Sequence, residues 1–558
     1  MSVRASIRQR FLSVIVPLLL LAFAGCMANR RVFAAPANDS HLLAATPPMG
    51  WNDWAHYECN YTARDILANA QALVKTGLAA RGYDTVTIDD CWMQKDRDAH
   101  GDLKADARRF PDGIAPVARA VHNLGLKFGI YEDAGYATCG GFAGSGEPKG
   151  GGQDHFLQDA RLFASWGVDY LKLDGCNLHV PKGSSQNDAY RKAYAAQNAA
   201  LKAVGRPMIF SESAPAYFEA TPEWYDVLTW VGGYGQLWRE GDDMETLSEK
   251  RPGASRFRSV LWNYDYNLPL GRFQKPGNWN DPDFVISGDD GLSVAESRSN
   301  LALWSMMSAP LILSSDVARL SPEAVAILGN KAVIAVDQDP LGRMATLLRR
   351  SPSMDVLIKP LDGGDYAVAV LNRGADPVRV ELRPAEFGFA TSQECRLDVQ
   401  DLWSGTKQSA ASNLQAEIAS HDTAIWRFHP APPCGRPART GTITMVSTKP
   451  HRQDWLCLAA PGHVATCAGT PDETWTVTAR GALQSAAGRC LAVADGKPQM
   501  QACAATNAQS WNYTQAGNLL DNQTHQCLSA GGPGGKLDSL SVQACGHNQP
   551  NQIWSLPN

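Results

Sequence analysis

V-D-Y-L-K-L-D-G-C-N, from Val168 to Asn177, is the stretch on which the reading of this chain turns. Tyr170, Leu171 and Leu173 make a short apolar run suited to a buried strand. Lys172 and Asp174 interrupt it two residues apart, so a cation and a carboxylate share one face of that strand. Gly175 then turns the chain. A neighbouring cation favours a charged carboxylate, which suits Asp174 to attack rather than to proton donation. The plain alternative is an ion pair that only holds a core together.

Outward from this stretch the same phrase recurs. An amphipathic helical segment ends in glycine, and a short apolar strand follows that ends in polar groups. Ile66, Ala70, Leu73 and Val74 form a helical stripe before Thr85–Ile88, which ends at Asp89 and Asp90. Ile114, Val117, Ala118, Val121 and Leu124 precede Gly125 and the strand 128–130, which ends Tyr131-Glu132-Asp133. Phe156, Ala160 and Phe163 precede Gly167 and the central strand. A helix near 193–204 precedes Gly205 and the strand 208–210, which ends Ser211-Glu212-Ser213. Segments 49–52, 227–232, 279–285 and 311–314 complete eight candidate strands, and 301–307 reads as a late helix.

Repeated helix–strand units imply parallel strands with right-handed crossovers. A (β/α)8 barrel and an open doubly wound sheet both fit. No G-x-G-x-x-G follows the first strand, which disfavours a dinucleotide fold. Every strand ends in polar or ionisable groups, at the end where a barrel carries its active site.

The remaining chain bounds the problem. At 558 residues it is too long for one core. A formal net charge of −5 argues against nucleic acid as the main partner. Residues 1–35 read as a signal peptide: Arg4, Arg8 and Arg10 precede the apolar run 14–24. The motif L-A-F-A-G-C suggests a lipoprotein signal and lipid anchor at Cys26, with cleavage after Ala34 or Ala35 as the alternative. Twelve of the 13 cysteines lie beyond Cys26, an even number that suits pairing in an oxidising compartment. No H-E-x-x-H or His/Cys zinc spacing occurs, so neither a metal nor another cofactor is expected.

The barrel is expected over 40–340. Short alternating strands at 356–358, 366–371, 378–382 and 424–428 mark an antiparallel β-sandwich over 341–429. Cys395 and Cys434 are left to pair with each other. The Pro-rich run 430–445 reads as a linker. Over 446–558 a second repeat appears: C-L at Cys457, Cys490 and Cys527, a further cysteine at 467, 503 and 545, then Glu473/Trp475, Gln509/Trp511 and Gln552/Trp554. This region resembles the ricin-type β-trefoil, a carbohydrate-binding module. That family's sugar-contacting aspartate stands two residues after the first cysteine, where this chain has Ala459, Ala492 and Ser529.

P-P-M-G-W-N-D-W (47–54), I-D-D-C-W (88–92), F-G-I-Y-E-D (128–133), Y-L-K-L-D-G-C (170–176), L-W-R-E-G-D-D-M (237–244), W-N-D-P-D-F (279–284) and D-Q-D-P-L-G (337–342) occur in order. Residues 46–430 thereby resemble glycoside hydrolase family 27, the α-galactosidases and α-N-acetylgalactosaminidases. The resemblance implies retaining hydrolysis of a terminal α-linked galactose-type sugar from an oligosaccharide or glycoconjugate. That chemistry needs two carboxylates about 5–5.5 Å apart. Asp174 matches the nucleophile and Asp243, four residues after Arg239, the acid/base; Asp242 is the adjacent alternative. Asp89 and Asp90 match the pair that binds O4 and O6 of the sugar. Trp51 and Tyr131 match the pocket wall, and Lys172, Arg239, Asp283 and Tyr217 its polar contacts. Lys172 and Arg239 would also hold Asp174 charged. The pairs Cys59–Cys91 and Cys139–Cys176 match two family disulfides. A third family bridge is missing at both ends, with Glu212 and Gly235 in the cysteine positions.

Ser213 and Ala216 stand where animal galactosidases carry larger residues facing the 2-hydroxyl. Small residues there follow the α-N-acetylgalactosaminidase pattern and leave room for a 2-acetamido group. Glu212, one residue early, could restore a carboxylate if the register slipped by one. Three other readings stay open: a non-catalytic carbohydrate-binding protein, a metal-dependent enzyme using Asp89, Asp90 and Asp133, and a relative cleaving β-L-arabinopyranosides or isomaltosyl units.

Overall fold

The computed structural model describes residues 42–248, 255–289, 291–389, 395–445, 456–531, 539–546 and 549–557. The expected signal peptide and Cys26 lie outside them. Among the described residues, no helix is long and apolar enough to cross a membrane.

Eight parallel strands form the first sheet: β1 (Met49–Asn52), β2 (Thr85–Ile88), β3 (Lys127–Asp133), β4 (Tyr170–Asp174), β5 (Ile209–Glu212), β6 (Leu237–Arg239), β7 (Trp279–Asp281) and β8 (Leu311–Leu313). They pair in chain order, and β8 pairs with β1. A parallel bridge from Val285 to Leu313 closes the ring, so the sheet is a barrel and not an open doubly wound sheet. The strands are buried on both faces, as helices around a parallel sheet require: every residue of β2 is buried, and so is every residue of β4 except Asp174. Between strands run helices whose apolar stripes face the barrel, among them Ala63–Thr76, Ile114–Asn123, Phe156–Trp166 and Gln186–Ala203. Gly125, Gly167 and Gly205 take φ of 79°, 82° and 69° after three of these helices, the left-handed stop that glycine makes without a Cβ penalty.

One expected strand is a helix. Residues 227–231 fall within the helix Trp224–Val231, which Gly232 caps, and the sixth strand is the three-residue Leu237–Arg239. The run W-Y-D-V-L-T-W-V is buried nearly all round. A short apolar run without alternation does not separate strand from buried helix.

The second region stacks a six-stranded antiparallel sheet, which includes Thr346–Ser351, Met354–Pro360, Tyr366–Asn372 and Thr423–Ala431, against the pair Val378–Leu382 and Leu414–Ile418. Val356, Val368, Val370, Trp426 and Phe428 meet Val380, Leu382 and Ile418 between them. A buried cluster ties this sandwich to the barrel. Arg350 lies 2.7 Å from Asp265 and 2.6 Å from Asp355, and Arg373 lies 2.6 Å from Asp265. Cys395 and Cys434 form a disulfide.

Half of the expected linker 430–445 is strand. Thr423–Ala431 still belongs to the sandwich, and Arg439–Thr442 already pairs with Thr474–Val477 of the last region. That region is a three-fold β structure whose repeat has a physical basis. Trp475, Trp511 and Trp554 each send an indole N–H to a leucine carbonyl, of Leu458 (2.7 Å), Leu491 (3.1 Å) and Leu528 (2.9 Å). Glu473, Gln509 and Gln552 each accept a backbone N–H, from Ala468 (2.9 Å), Ala504 (2.6 Å) and Gly546 (2.8 Å). Three disulfides close the units: Cys457–Cys467, Cys490–Cys503 and Cys527–Cys545. Ala459, Ala492 and Ser529 are buried. The three-fold region packs onto the sandwich through Thr442, whose hydroxyl donates to the Leu348 carbonyl (3.1 Å), and onto the barrel through Arg272, which donates to the Gln515 carbonyl (3.1 Å).

Candidate active site

The C-terminal ends of β2 to β6, with the segments that follow them, surround a cavity of about 300 Å³. Ten of the residues singled out from the sequence line it: Asp89, Asp90, Tyr131, Lys172, Asp174, Ser213, Ala216, Tyr217, Arg239 and Asp243. The Cys139–Cys176 bridge lines it too. Trp51 and Asp283 do not. The Trp51 indole is buried and donates to the Ser315 carbonyl at 2.8 Å, and the tryptophan in the wall is Trp54. Asp283 stands behind Arg239.

Strand alternation explains the inward set. Lys172 and Asp174 share one face of β4, as Tyr131 and Asp133 do on β3. Lys172 does not contact Asp174 directly, contrary to expectation. Its ammonium lies 2.7 Å from Asp89 Oδ2, which also accepts from Asn52 Nδ2 at 2.7 Å. Burial works against the Lys172 charge, but Asp89 first, then Asp174 and Asp283, hold its pKa above the ordinary lysine value. Arg239 likewise lies on other carboxylates, 2.9 Å from Asp243 and 3.1 Å from Asp283.

Asp174 takes its hydrogen bonds from neutral donors. Tyr217 Oη donates to Oδ1 at 2.5 Å, Tyr131 Oη to Oδ2 at 3.0 Å, and the Gly175 N–H to Oδ1 at 3.0 Å. Cys139 Sγ rests 3.4 Å from Oδ2, so the disulfide buttresses this side. Two N–H donors hold Asp90, from Cys91 (2.6 Å) and Gly140 (2.8 Å). The Cys59–Cys91 bridge anchors the turn in which Cys91 takes a φ of 76°. Burial raises the Asp90 carboxyl above its usual range, and those N–H groups temper the shift.

Asp243 faces solvent more than its neighbours do. Its crowded setting disfavours charge, yet Arg239 and then Lys172 outweigh this and hold the carboxyl below the usual range. Asp283 shows the reverse. Burial pushes it up to about 7, against the pull of Arg239 and with a further push from Asp243.

Glu212 answers the register question. It is fully buried and absent from the cavity wall, because the next residue along, Ser213, is the one facing inward. A Cβ placed on Gly235 would collide with the Glu212 carboxyl. The two residues standing for the missing bridge are therefore in contact, with the glutamate filling the space above the glycine. Burial raises the Glu212 carboxyl well above its usual range.

The metal reading loses ground on donor chemistry. Asp89 and Asp90 are committed to ammonium and amide donors. Among the described residues one group has metal-ligand spacing, Asp133, Cys139, Asp174 and Cys176, and its sulfurs are bonded to each other and offer no thiolate.

The sequence reading did not single out Glu219 and Gly241 in the wall. Glu219 follows the S-E-S-A-P-A-Y motif by two residues, and only the helix geometry described below points to it.

All three regions of the chain are similar to known proteins. Residues 46–339 match the family described as "Alpha galactosidase A", 351–428 its C-terminal beta sandwich domain, and 448–554 the ricin-type beta-trefoil lectin domain. An alpha-galactosidase A of Aspergillus niger is 37% identical over 524 residues, covering 92% of each chain. An alpha-N-acetylgalactosaminidase of Gallus gallus is 38% identical over 375 residues, covering 65% of this chain and 87% of that one. The crystal structure of alpha-galactosidase I from Mortierella vinacea superposes with a TM-score of 0.61 at 30% identity, over 69% of this chain and 97% of that one. A closed parallel barrel, matched over residues 46–339 to this family model and over 92% of the chain to the Aspergillus niger enzyme, makes this a glycosidase that belongs to glycoside hydrolase family 27, the α-galactosidase family.

Proposed function

We propose that the enzyme is a retaining exo-glycosidase that releases terminal α-linked galactose-type residues and accepts N-acetylgalactosamine. One observation carries this reading: Asp174 from the tip of β4 and Asp243 from beyond β6 line the same small cavity. Its size lies at the low end of ligand pockets, about 300–1,000 Å³, and suits one terminal sugar.

In the proposed reaction an Asp174 oxygen attacks the anomeric carbon while Asp243 gives a proton to the departing glycosidic oxygen. The sugar is left esterified to Asp174. Water then loses a proton to Asp243, its oxygen attacks the same carbon, and the Asp174 carboxylate leaves with net retention. Arg239 holds Asp243 charged in the open pocket. An aglycone seated against Asp243 excludes water and favours the neutral acid that the first step needs. Asp89 and Asp90 accept from O4 and O6, with Lys172 balancing Asp89.

Ser213 and Ala216 in the wall, with Glu212 turned away, support room for a 2-acetamido group. A strict α-galactosidase is the second reading, favoured by the name of the A. niger relative. Paired kcat/KM values on the para-nitrophenyl α-N-acetylgalactosaminide and α-galactoside decide between them. The first should be at least as good a substrate, and a tenfold preference for galactose would sink that specificity. The six disulfides among the described residues support export to an oxidising compartment.

A further inference from the structure

The wall that carries Ser213 and Ala216 has a third member. The chain from Ser213 to Glu219 is a 3-10 helix, Ala214–Phe218, with Ser213 at its N-cap and Glu219 at its C-cap. Side chains three residues apart eclipse in such a helix. Ser213, Ala216 and Glu219 therefore form one stripe, and all three line the cavity. The Glu219 N–H donates to the Ala216 carbonyl, which fixes the end of the stripe. The Glu219 Oε2 atom is sheltered from solvent and meets no donor at full hydrogen-bond geometry among the described residues. The stripe thus runs small, small, acid.

We propose that Glu219 is the specificity-determining residue for the substituent on C2, hydrogen-bonding an acetamido group that extends past Ser213 and Ala216. This rests on the reading above, in which those two residues face C2. The reasoning is one of reach. Where a larger acid stands at the first position of the stripe, it meets a 2-hydroxyl directly. Here the acid stands two turns of 3-10 helix further on, and a bare hydroxyl falls short of it. An acetamide carries both an N–H and a carbonyl outward, so it spans the gap left by the small side chains.

The surroundings suit a carboxyl that works in either form. Burial first, and then Asp242, push Glu219 up to about 7, against the pull of Arg239, with Asp243 adding to the rise and the Tyr266 hydroxyl beside it. Below neutral pH it donates its proton to an acetamido carbonyl. Above, it accepts from the N–H. The groups facing it are Asp242 and Asp243 beyond β6, Arg239 on β6, and Tyr266 on the helix Arg256–Asn267.

The test uses the full-length enzyme and its Glu219→Ala and Glu219→Gln variants, with the two chromogenic glycosides and a 2-deoxy-galactoside. For Glu219→Ala, kcat/KM on the N-acetylgalactosaminide should fall at least tenfold, mainly through KM, while the galactoside and 2-deoxy substrates stay within about twofold. Glu219→Gln, which keeps both a donor and an acceptor, should recover most of the loss. Equal losses on all three substrates, or an unchanged ratio between them, would overturn the assignment. Wild-type enzyme that neither cleaves the N-acetylgalactosaminide nor is inhibited by N-acetylgalactosamine would overturn the underlying specificity and this inference with it. Wild-type enzyme that cleaves it with the ratio unmoved in both variants would overturn only the role of Glu219. Matched thermal melts identify any variant that fails to fold, and Glu219→Gln then carries the test.

Discussion

The ammonium of Lys172 sits 2.7 Å from Asp89 Oδ2, a residue two strands away, while Asp174 lies two positions along Lys172's own strand. The cation thus supports the face proposed to read sugar hydroxyls. Asp174 is left to tyrosine and backbone donors. Removing one partner of such a buried pair leaves an uncompensated charge, at a cost of about 3–5 kcal/mol. Lys172→Met should lower unfolding stability by that order in chemical denaturation. The Lys172→Met, Asp89→Asn double variant should recover more than half of it. Additive losses would show that the two residues do not act as a pair.

Tyr217 donates the shortest hydrogen bond to Asp174. Bonds to charged groups contribute about 1.5–3 kcal/mol. Tyr217→Phe should therefore reduce kcat/KM by roughly 10- to 100-fold, with the melting temperature within a few degrees of wild type. A drop below threefold would make the contact incidental.

The buried carboxyls predict how stability follows pH. Asp53, Glu132, Glu212, Glu240 and Asp337 are all raised, chiefly by burial, and Asp283 is raised to about 7. For each, the folded state holds its proton at pH values where the unfolded chain, with carboxyl pKa near 4, has released it. Stability then falls as pH rises from about 4 towards 7. Asp355 has the opposite sign. Burial opposes its charge, but Arg350 and Arg373 hold it below the usual range, and its contribution is lost as pH drops below about 4. Melting temperature should peak under mildly acidic conditions, and Asp283→Asn should flatten the decline between pH 4 and 7. A melting temperature that climbs steadily to pH 8 would contradict this.

Glu212 and Gly235 touch at the two positions where the family resemblance implies a bridge. Gly235 does not have a positive φ among the described backbone angles, but a Cβ there would also lie 2.8 Å from the Phe210 carbonyl oxygen, so the backbone must shift to take a side chain even once the glutamate is gone. The double variant Glu212→Cys, Gly235→Cys should form a disulfide under oxidising conditions and stabilise the fold by about 2–4 kcal/mol, while also removing a buried acid. Free thiols in the purified folded protein would refute the contact.

The sequence makes most of the barrel legible because its strands are short apolar runs that end in polar residues, and its helices end in glycine. The run at 227–232 misleads because a helix buried nearly all round has no alternation to tell it from a strand. Leu237–Arg239 escapes notice because three residues carry no period. The three-fold region is readable from its Cys and Trp spacing, since each Trp makes the same hydrogen bond. Its first strand hides in a Pro-rich run that looks like a linker. In the candidate site, the resemblance to glycoside hydrolase family 27 names ten of the lining residues, of which Lys172 and Asp174 also stand out by their spacing on one strand face. Pairing across the barrel is not local in sequence, so Lys172's choice of Asp89 over Asp174 needed the three-dimensional arrangement. Glu219 needed the 3-10 period, which the apolar residues around it do not reveal.

In the proposed reaction Asp174 and Asp243 act together on one anomeric carbon, Asp174 by forming a bond to it. The most direct measurement is mass spectrometry of the enzyme after reaction with a fluorinated galactosyl fluoride, whose intermediate forms faster than it breaks down. One added sugar mass on the peptide bearing Asp174, absent from Asp174→Asn and longer-lived when Asp243→Asn slows release, is the predicted result. A label on another carboxylate, or steady hydrolysis by Asp174→Asn with no label, would contradict it.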